Sequence, residues 1–160
     1  MGAPTAYEKH DHRRCIKDAL QAARQICKAS GARLTSLREQ VLMKVWQSHK
    51  PLGAYAILEQ LAAEGQGHPA PPTVYRALDF LQEHGLVHRL SSLNAYIGCD
   101  LPGEPHDSQF LICRHCQTTV EMAAEPVSQA LTSCAAARGF TIHQSSVEIV
   151  GSCPNCQAAV

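Results

Sequence analysis

No stretch of this 160-residue chain stays apolar for the roughly 18 residues that a membrane-spanning helix needs. The opening residues, M-G-A-P-T-A-Y-E-K-H-D-H-R-R, lack the apolar core of a secretory leader. They begin with Met-Gly, but position 6 is Ala where an N-myristoylation signal calls for Ser or Thr. A cytoplasmic protein with no membrane partner is expected. Net charge is missing as well: the formal sum is zero, which excludes a generally adhesive basic protein. There is no H-x-E motif. A zinc deaminase needs one to supply a ligand and a proton shuttle. A deaminase also uses a Cys-x-x-Cys pair, but with no H-x-E a zinc enzyme is a remote reading, and neither a catalytic residue nor a small-molecule substrate is expected. No internal repeat or low-complexity tract occurs.

What charge there is falls unevenly. Residues 1–90 hold 12 Lys/Arg against 8 Asp/Glu, a net of +4; residues 91–160 hold 2 against 6, a net of −4. A basic half followed by an acidic half suits a nucleic-acid module joined to something else. The length allows one domain or two small ones.

Cysteine is plentiful, with 8 residues. In a reducing cytosol these point to metal ligands more than to disulfides. Cys113-x-x-Cys116 and Cys153-x-x-Cys156 are the strongest signal that spacing alone provides. Two such knuckles place four thiolates around one zinc, and a closed four-thiolate shell leaves no position for substrate, so the site is structural. The competing readings are a redox pair or unrelated thiols. A redox site needs only one pair, usually opening a helix. The 36 residues between the knuckles exceed a simple ribbon loop and must fold as a unit.

Periodicity outlines an α+β chain. Ile16, Leu20, Ala23, Ile26 and Cys27 predict a helix ended by Ser30-Gly31. Thr35 caps a second carrying Leu37, Val41, Leu42, Val45 and Trp46, which Lys50-Pro51-Leu52-Gly53 breaks. A third buries Tyr55, Ile57, Leu58 and Leu61. Residues 64–72 form a Gly/Pro loop. A fourth helix follows, with Pro71 and Pro72 stopping what precedes and Thr73 as its cap; Val74, Ala77, Leu78 and Leu81 share one face and Gly85 ends it. Leu86 to Leu90 and Ala95 to Ile97 alternate like a hairpin. Helix then hairpin is the outline of a winged helix-turn-helix, whose last helix enters the major groove. An ordinary amphipathic helix with a solvated face remains the alternative. Residues 1–97 are thus a winged-helix domain, 98–105 a hinge with two Pro and two Gly, and 106–160 a small α/β domain. In that last part, strands at residues 109–113 and 118–122, a helix at 125–138, and one or two strands from Phe140 and Val147 are expected. Such a unit is too small for independent stability without a metal or a partner.

P-P-T-V-Y-R-A-L-D-F-L-Q-E-H-G-L-V-H, the upstream R-L-T-S-L-R-E-Q-V-L, C-R-H-C and C-P-N-C resemble, in order, the motifs of the ferric uptake regulator family. Within it they are similar to the zinc-sensing branch. The resemblance spans roughly Cys27 to Cys156. It implies a zinc-responsive repressor of zinc uptake genes, a homodimer that binds a palindromic double-stranded operator when zinc-loaded. It implies that residues 106–160 are the dimerisation domain, with the same structural role for the four knuckle cysteines. It also implies a second, regulatory zinc at His88, Cys99, His106 and Glu121, making two per protomer. No local spacing connects those four, and taken singly each has an ordinary surface or core reading. Their mixed N, S and O donors suit Zn²⁺, and the thiolate disfavours Fe²⁺ or Mn²⁺. DNA contacts fall to Thr73, Tyr75 and Arg76 in the first turns of the fourth helix, joined by Arg33. An iron-, manganese- or nickel-sensing member is the alternative, and a zinc-ribbon adaptor is a remoter one. The His-rich run that iron sensors carry after the hinge is reduced here to Pro105-His106-Asp107-Ser108. Cys15, Cys27 and Cys134 match no ligand position and are expected to be buried thiols. His143 lies near a position used for metal in some relatives. His10 and His12 are expected in solvent, on a polar, frayed segment.

Overall fold

Asp11 opens the first helix of the computed structural model by accepting the Arg13 amide on its carboxylate. The structure describes residues 6–65 and 67–158. Part of the segment expected to fray, part of the Gly/Pro loop, and the last two positions of the 106–160 unit lie outside these. Helix α1 (His12–Ser30) ends on Gly31, whose φ of 69° gives the left-handed turn that accepts a glycine cheaply. Thr35 caps α2 (Ser36–Val45), and α3 (Ala54–Ala63) follows Gly53.

Helix α4 (Pro71–Glu83) differs from expectation at its start. Ala70 is the N-cap, Pro71 and Pro72 occupy the first turn, and Thr73 lies inside the helix, its amide donating to the Ala70 carbonyl. Prolines fit there because first-turn amides need no intrahelical partner and φ is already helical. Val74, Leu78 and Leu81 are fully buried, each contributing about 1.5–3 kcal/mol by leaving water. They pack with Val41, Leu42, Val45, Ile57 and Leu61 as one core. Strands β1 (Val87–Leu90) and β2 (Ala95–Gly98) form an antiparallel hairpin, and an isolated bridge pairs Leu52 with Tyr96 at its edge.

Gly98, read as the first hinge residue, is the last residue of β2. The Trp46 indole lies against it: a Cβ there would sit 2.1 Å from the ring. We expect Gly98→Ala to lower stability by about 1–3 kcal/mol through overpacking. This should appear as a reduced urea midpoint at unchanged slope; an unchanged midpoint would show that the indole yields freely.

The second sheet has the order β4-β3-β5, built from β3 (Ser108–Cys113), β4 (Thr119–Met122) and β5 (Ser146–Gly151). β4 is antiparallel to β3, whereas β5 returns parallel to it after the crossover helix α5 (Glu125–Ala136). The strand expected at residues 140–142 does not form; Phe140 instead donates its amide to Ala135, closing the helix end, and its ring is exposed. A short helix, α6 (Pro154–Gln157), was not foreseen. Leu90 and Ile97 of the hairpin meet Phe110 and Ile112 of β3 in a separate apolar cluster, so hairpin and sheet share a face. Glu148 of β5 adds a polar clasp: its carboxylate accepts the amides of Ser91 and Ser92 at 2.7 and 3.1 Å and the Ser92 hydroxyl.

Candidate functional site

Parallel pairing of β3 with β5 sets Cys113 opposite Gly151. Both knuckles therefore sit at the same end of adjacent strands, although Cys113 and Cys153 are 40 positions apart. Gln117, at φ 62°, turns the chain back in the first knuckle, and Cys153 caps α6 in the second. The Cys153 amide donates to Cys113 Sγ at 3.4 Å, and Cys116 Sγ lies 3.7 Å from Cys153 Sγ. All four sulfurs fall within 4.8 Å of one another. Amide hydrogen bonds, from Cys116 first and then Cys153, hold the Cys113 thiol down to about 5. Hydrogen bonding with the Cys153 sulfur, then burial, pushes Cys156 up to about 12. Such a set is suited to a thiophilic cation that displaces the remaining protons.

The second set meets where hairpin and sheet join. His88 lies on β1, Cys99 follows β2 with its amide bonded to the Leu86 carbonyl, and Glu121 lies on β4. His106 follows the turn that contains Gly103. Its Nδ1–H donates to the Glu104 carbonyl at 2.6 Å, which leaves Nε2 to face inward. That Nε2 stands 2.7 Å from Glu121 Oε1 and 3.6 Å from Cys99 Sγ. His88 Nε2 stands 2.8 Å from the same Oε1, yet it is buried and off the line of any hydrogen bond. The second Glu121 oxygen accepts the Asp100 amide at 2.9 Å.

Charge accumulates here. Burial, then Glu121, pushes the Cys99 thiol up to about 12, and the same two causes raise Asp100 to about 6. Burial alone would raise Glu121, but the adjacent His88 ring and the hydrogen bonds from the Asp100 amide and His106 outweigh it and hold the carboxylate below its ordinary range. Burial alone would lower His106; the Glu104 carbonyl and Glu121 outweigh it and raise the ring. Two ring nitrogens crowd one carboxylate oxygen, one of them without a hydrogen bond, beside a buried thiol. A divalent cation fits that donor set, since it would satisfy all four at once.

The exposed face of α4 carries Thr73, Tyr75 and Arg76, and Arg33 is exposed ahead of α2. Other expectations need correction. Cys27 is buried, but Cys15 is only half-buried and Cys134 is exposed. His143 is exposed and belongs to none of the clusters among the described residues. His10 and His12 are half-buried and meet His49. Burial first, then those two rings, lowers His49 to about 4. Neither the Glu148 clasp nor this histidine group has a spacing that sequence reading could have used.

Comparison with known proteins gives a consistent picture. The model of the ferric uptake regulator family matches residues 29–150. The zinc uptake regulation protein of Escherichia coli (strain K12) is 38% identical over 141 residues, covering 88% of this chain and 82% of that protein. A zinc uptake regulator solved with zinc and DNA is 35% identical, with a TM-score of 0.81 over 94% of this chain and 98% of that one. Holo XcZur is 38% identical, with a TM-score of 0.80 over 89% of this chain and 99% of that one. The apo form of XcZur gives only 0.52 over 89% and 97%.

Proposed function

The chain belongs to the ferric uptake regulator family, and from that premise we propose that it is a zinc-responsive repressor of zinc uptake genes, binding a palindromic operator as a homodimer. The observation that carries this reading is the mixed donor set at the joint of hairpin and sheet. His88, Cys99, His106 and Glu121 would hold a regulatory zinc there, and Cys113, Cys116, Cys153 and Cys156 a structural one, two per protomer for this function. Bound at the joint, zinc supplies a bond between hairpin and sheet. Similarity is also higher to the holo than to the apo form of XcZur, which suits a DNA-competent arrangement. Among the described residues no helix is long and apolar enough to cross a membrane, and a cytoplasmic site of action accords with DNA as partner.

The division into residues 1–97, 98–105 and 106–160 accords with the hairpin's end at Gly98 and the start of β3 at Ser108. The sheet unit is left with apolar surface. No residue of α5 is buried, and Phe140, Ile149 and Val150 are exposed. A second copy covering α5 and β5 would bury them.

In the DNA complex α4 lies in the major groove. Arg76 contacts a purine edge, Tyr75 a thymine methyl or sugar, Thr73 a phosphate at the helix N-terminus, and Arg33 approaches from the segment before α2. Arg76→Ala is expected to cost about 1–3 kcal/mol and to relax preference at one base pair. Thr73→Ala should weaken binding without changing preference. Wild-type affinity and specificity in Arg76→Ala would mean that α4 is not the reading helix. The function itself is tested by gel shift on duplexes selected by the zinc-loaded dimer, across buffered free zinc. Binding should appear with zinc. Equal binding at all zinc levels, or activation by Fe²⁺ or Mn²⁺ at lower free metal, would overturn the reading.

A further inference from the structure

We propose that His10, His12, Cys15 and His49 form a third zinc site, which fastens the segment before α1 to the corner between α2 and α3. The four side chains come from two stretches, His10 and His49 being 39 positions apart, yet one ligand atom of each lies within 4.8 Å of the others. That is the same closeness as in the two sets described above.

Local structure accounts for the convergence. Asp11 is the N-cap of α1, so His12 is its first helical residue and Cys15 lies one turn on. Residues three apart share a helix face. His10, just ahead of the cap, folds over the same face. Its Nδ1–H donates to the Glu8 carbonyl at 2.8 Å, and since that carbonyl only accepts, the tautomer is fixed with Nε2 free. That Nε2 points at His49 Nε2, 2.8 Å away. The three imidazoles pack together, with ring centroids 4.6 Å apart for His10–His12, 4.8 Å for His10–His49 and 5.0 Å for His12–His49.

The group is incomplete without a ligand. His12 Nδ1 is buried and has no hydrogen-bond partner, although buried ring nitrogens are ordinarily paired. His10 and His49 offer two ring nitrogens to each other, with one proton between them at most. The set contains no carboxylate that would reward protonated rings. A cation would take the lone pairs and the thiolate together. Three imidazoles and one thiolate suit Zn²⁺ in tetrahedral coordination and differ from both other sets.

The surroundings give the site a consequence. The His49 carbonyl accepts the Thr119 amide at 2.8 Å, and Thr119 begins β4, which also carries Glu121. His49, Asp100, Thr119 and Glu121 line one small cavity, with Trp46 beside them. A cation that fixes His49 therefore also fixes the strand that presents Glu121.

The test is metal content of the full-length dimer, equilibrated with buffered Zn²⁺ and measured by mass spectrometry. Wild type should reach three equivalents per protomer. His12→Gln and Cys15→Ser should each stop at two, and Cys99→Ser/His12→Gln at one. Cobalt gives a second readout: Cys99→Ser protein, once its four-cysteine site is filled, should still develop tetrahedral bands with one thiolate as further Co²⁺ is added, and Cys99→Ser/Cys15→Ser should not. Circular dichroism checks that α1 persists in each variant. Wild type saturating at two equivalents, or a third that survives both His12→Gln and Cys15→Ser, would overturn the proposal. Failure of the regulatory reading would show separately, as Cys99→Ser losing no zinc.

Discussion

Cys116→Ser should lose one equivalent of zinc and the dimer together. The sheet unit has little else to hold it. Of the apolar cluster that includes Phe110 and Ile112, two members, Leu90 and Ile97, belong to the hairpin, and no residue of α5 is buried. A structural zinc in a small domain contributes an apparent 10–16 kcal/mol or so at neutral pH. A whole domain is stable by only about 5–15 kcal/mol. Serine offers no thiolate, and Cys113 would be left with its charge held by amides but no cation. With the unit unfolded, the exposed apolar residues on α5 and β5 cannot be presented to a second copy. Sedimentation equilibrium and metal content measured on one sample decide the matter. A folded dimeric Cys116→Ser with full zinc content would refute the assignment.

The second large effect is expected from Cys99→Ser. Here the dimer and the four-cysteine zinc should persist while zinc-dependent operator binding is lost. Cys99 is buried where hairpin meets sheet, and its amide stays bonded to Leu86, so the isosteric change leaves local structure in place. What it removes is a donor joining the hairpin side, through His88 and Cys99, to Glu121 on β4. A twofold dimer must set its two α4 helices about 34–36 Å apart to read half-sites one turn apart. If the joint samples other arrangements, apparent affinity falls by the competent fraction. Typical coupling between sites is about 1–3 kcal/mol, so operator affinity at saturating zinc should drop about 5–150-fold, to the zinc-free value. Reciprocity adds a sharper check, because operator DNA must tighten zinc binding by the same factor. Equal zinc affinities with and without operator would rule out coupling, whatever the variant does.

The sequence made the helical core and the knuckles readable for different reasons. Val74, Leu78 and Leu81 recur at helical spacing, and periodicity reports burial directly. Paired C-x-x-C reports a site because each pair is local and only their meeting is long-range. Helix ends were less legible. Thr73 looked like a cap because a hydroxyl there commonly serves as one, yet two prolines fit the first turn better and moved the start to Ala70. Phe140 to Ile142 has strand composition, but the sheet finds its third strand in β5, and pairing, not composition, makes a strand. His88, Cys99, His106 and Glu121 came from family resemblance alone; their meeting depends on the register of two sheets. His10, His12 and Cys15 gave no sign of a shared site because His49, which meets them, lies beyond both α1 and α2. Glu148 gave no signal either, since an acidic residue on an edge strand ordinarily faces water.

The parallel return of β5 beside β3 imposes an order on biosynthesis. Cys113 and Cys116 leave the ribosome as a two-thiol pair, and the other pair, just beyond β5, follows 37 or more positions later. At about 5–20 residues per second, that delay lasts seconds. Throughout it β3 can pair only with β4. Helices α1 to α4 and the hairpin have all been synthesised before then. Newly made protein therefore passes through a stage with its helical part and hairpin synthesised and its sheet unit incomplete. On the proposed reading, competence for operator DNA would wait until both cysteine pairs have been synthesised.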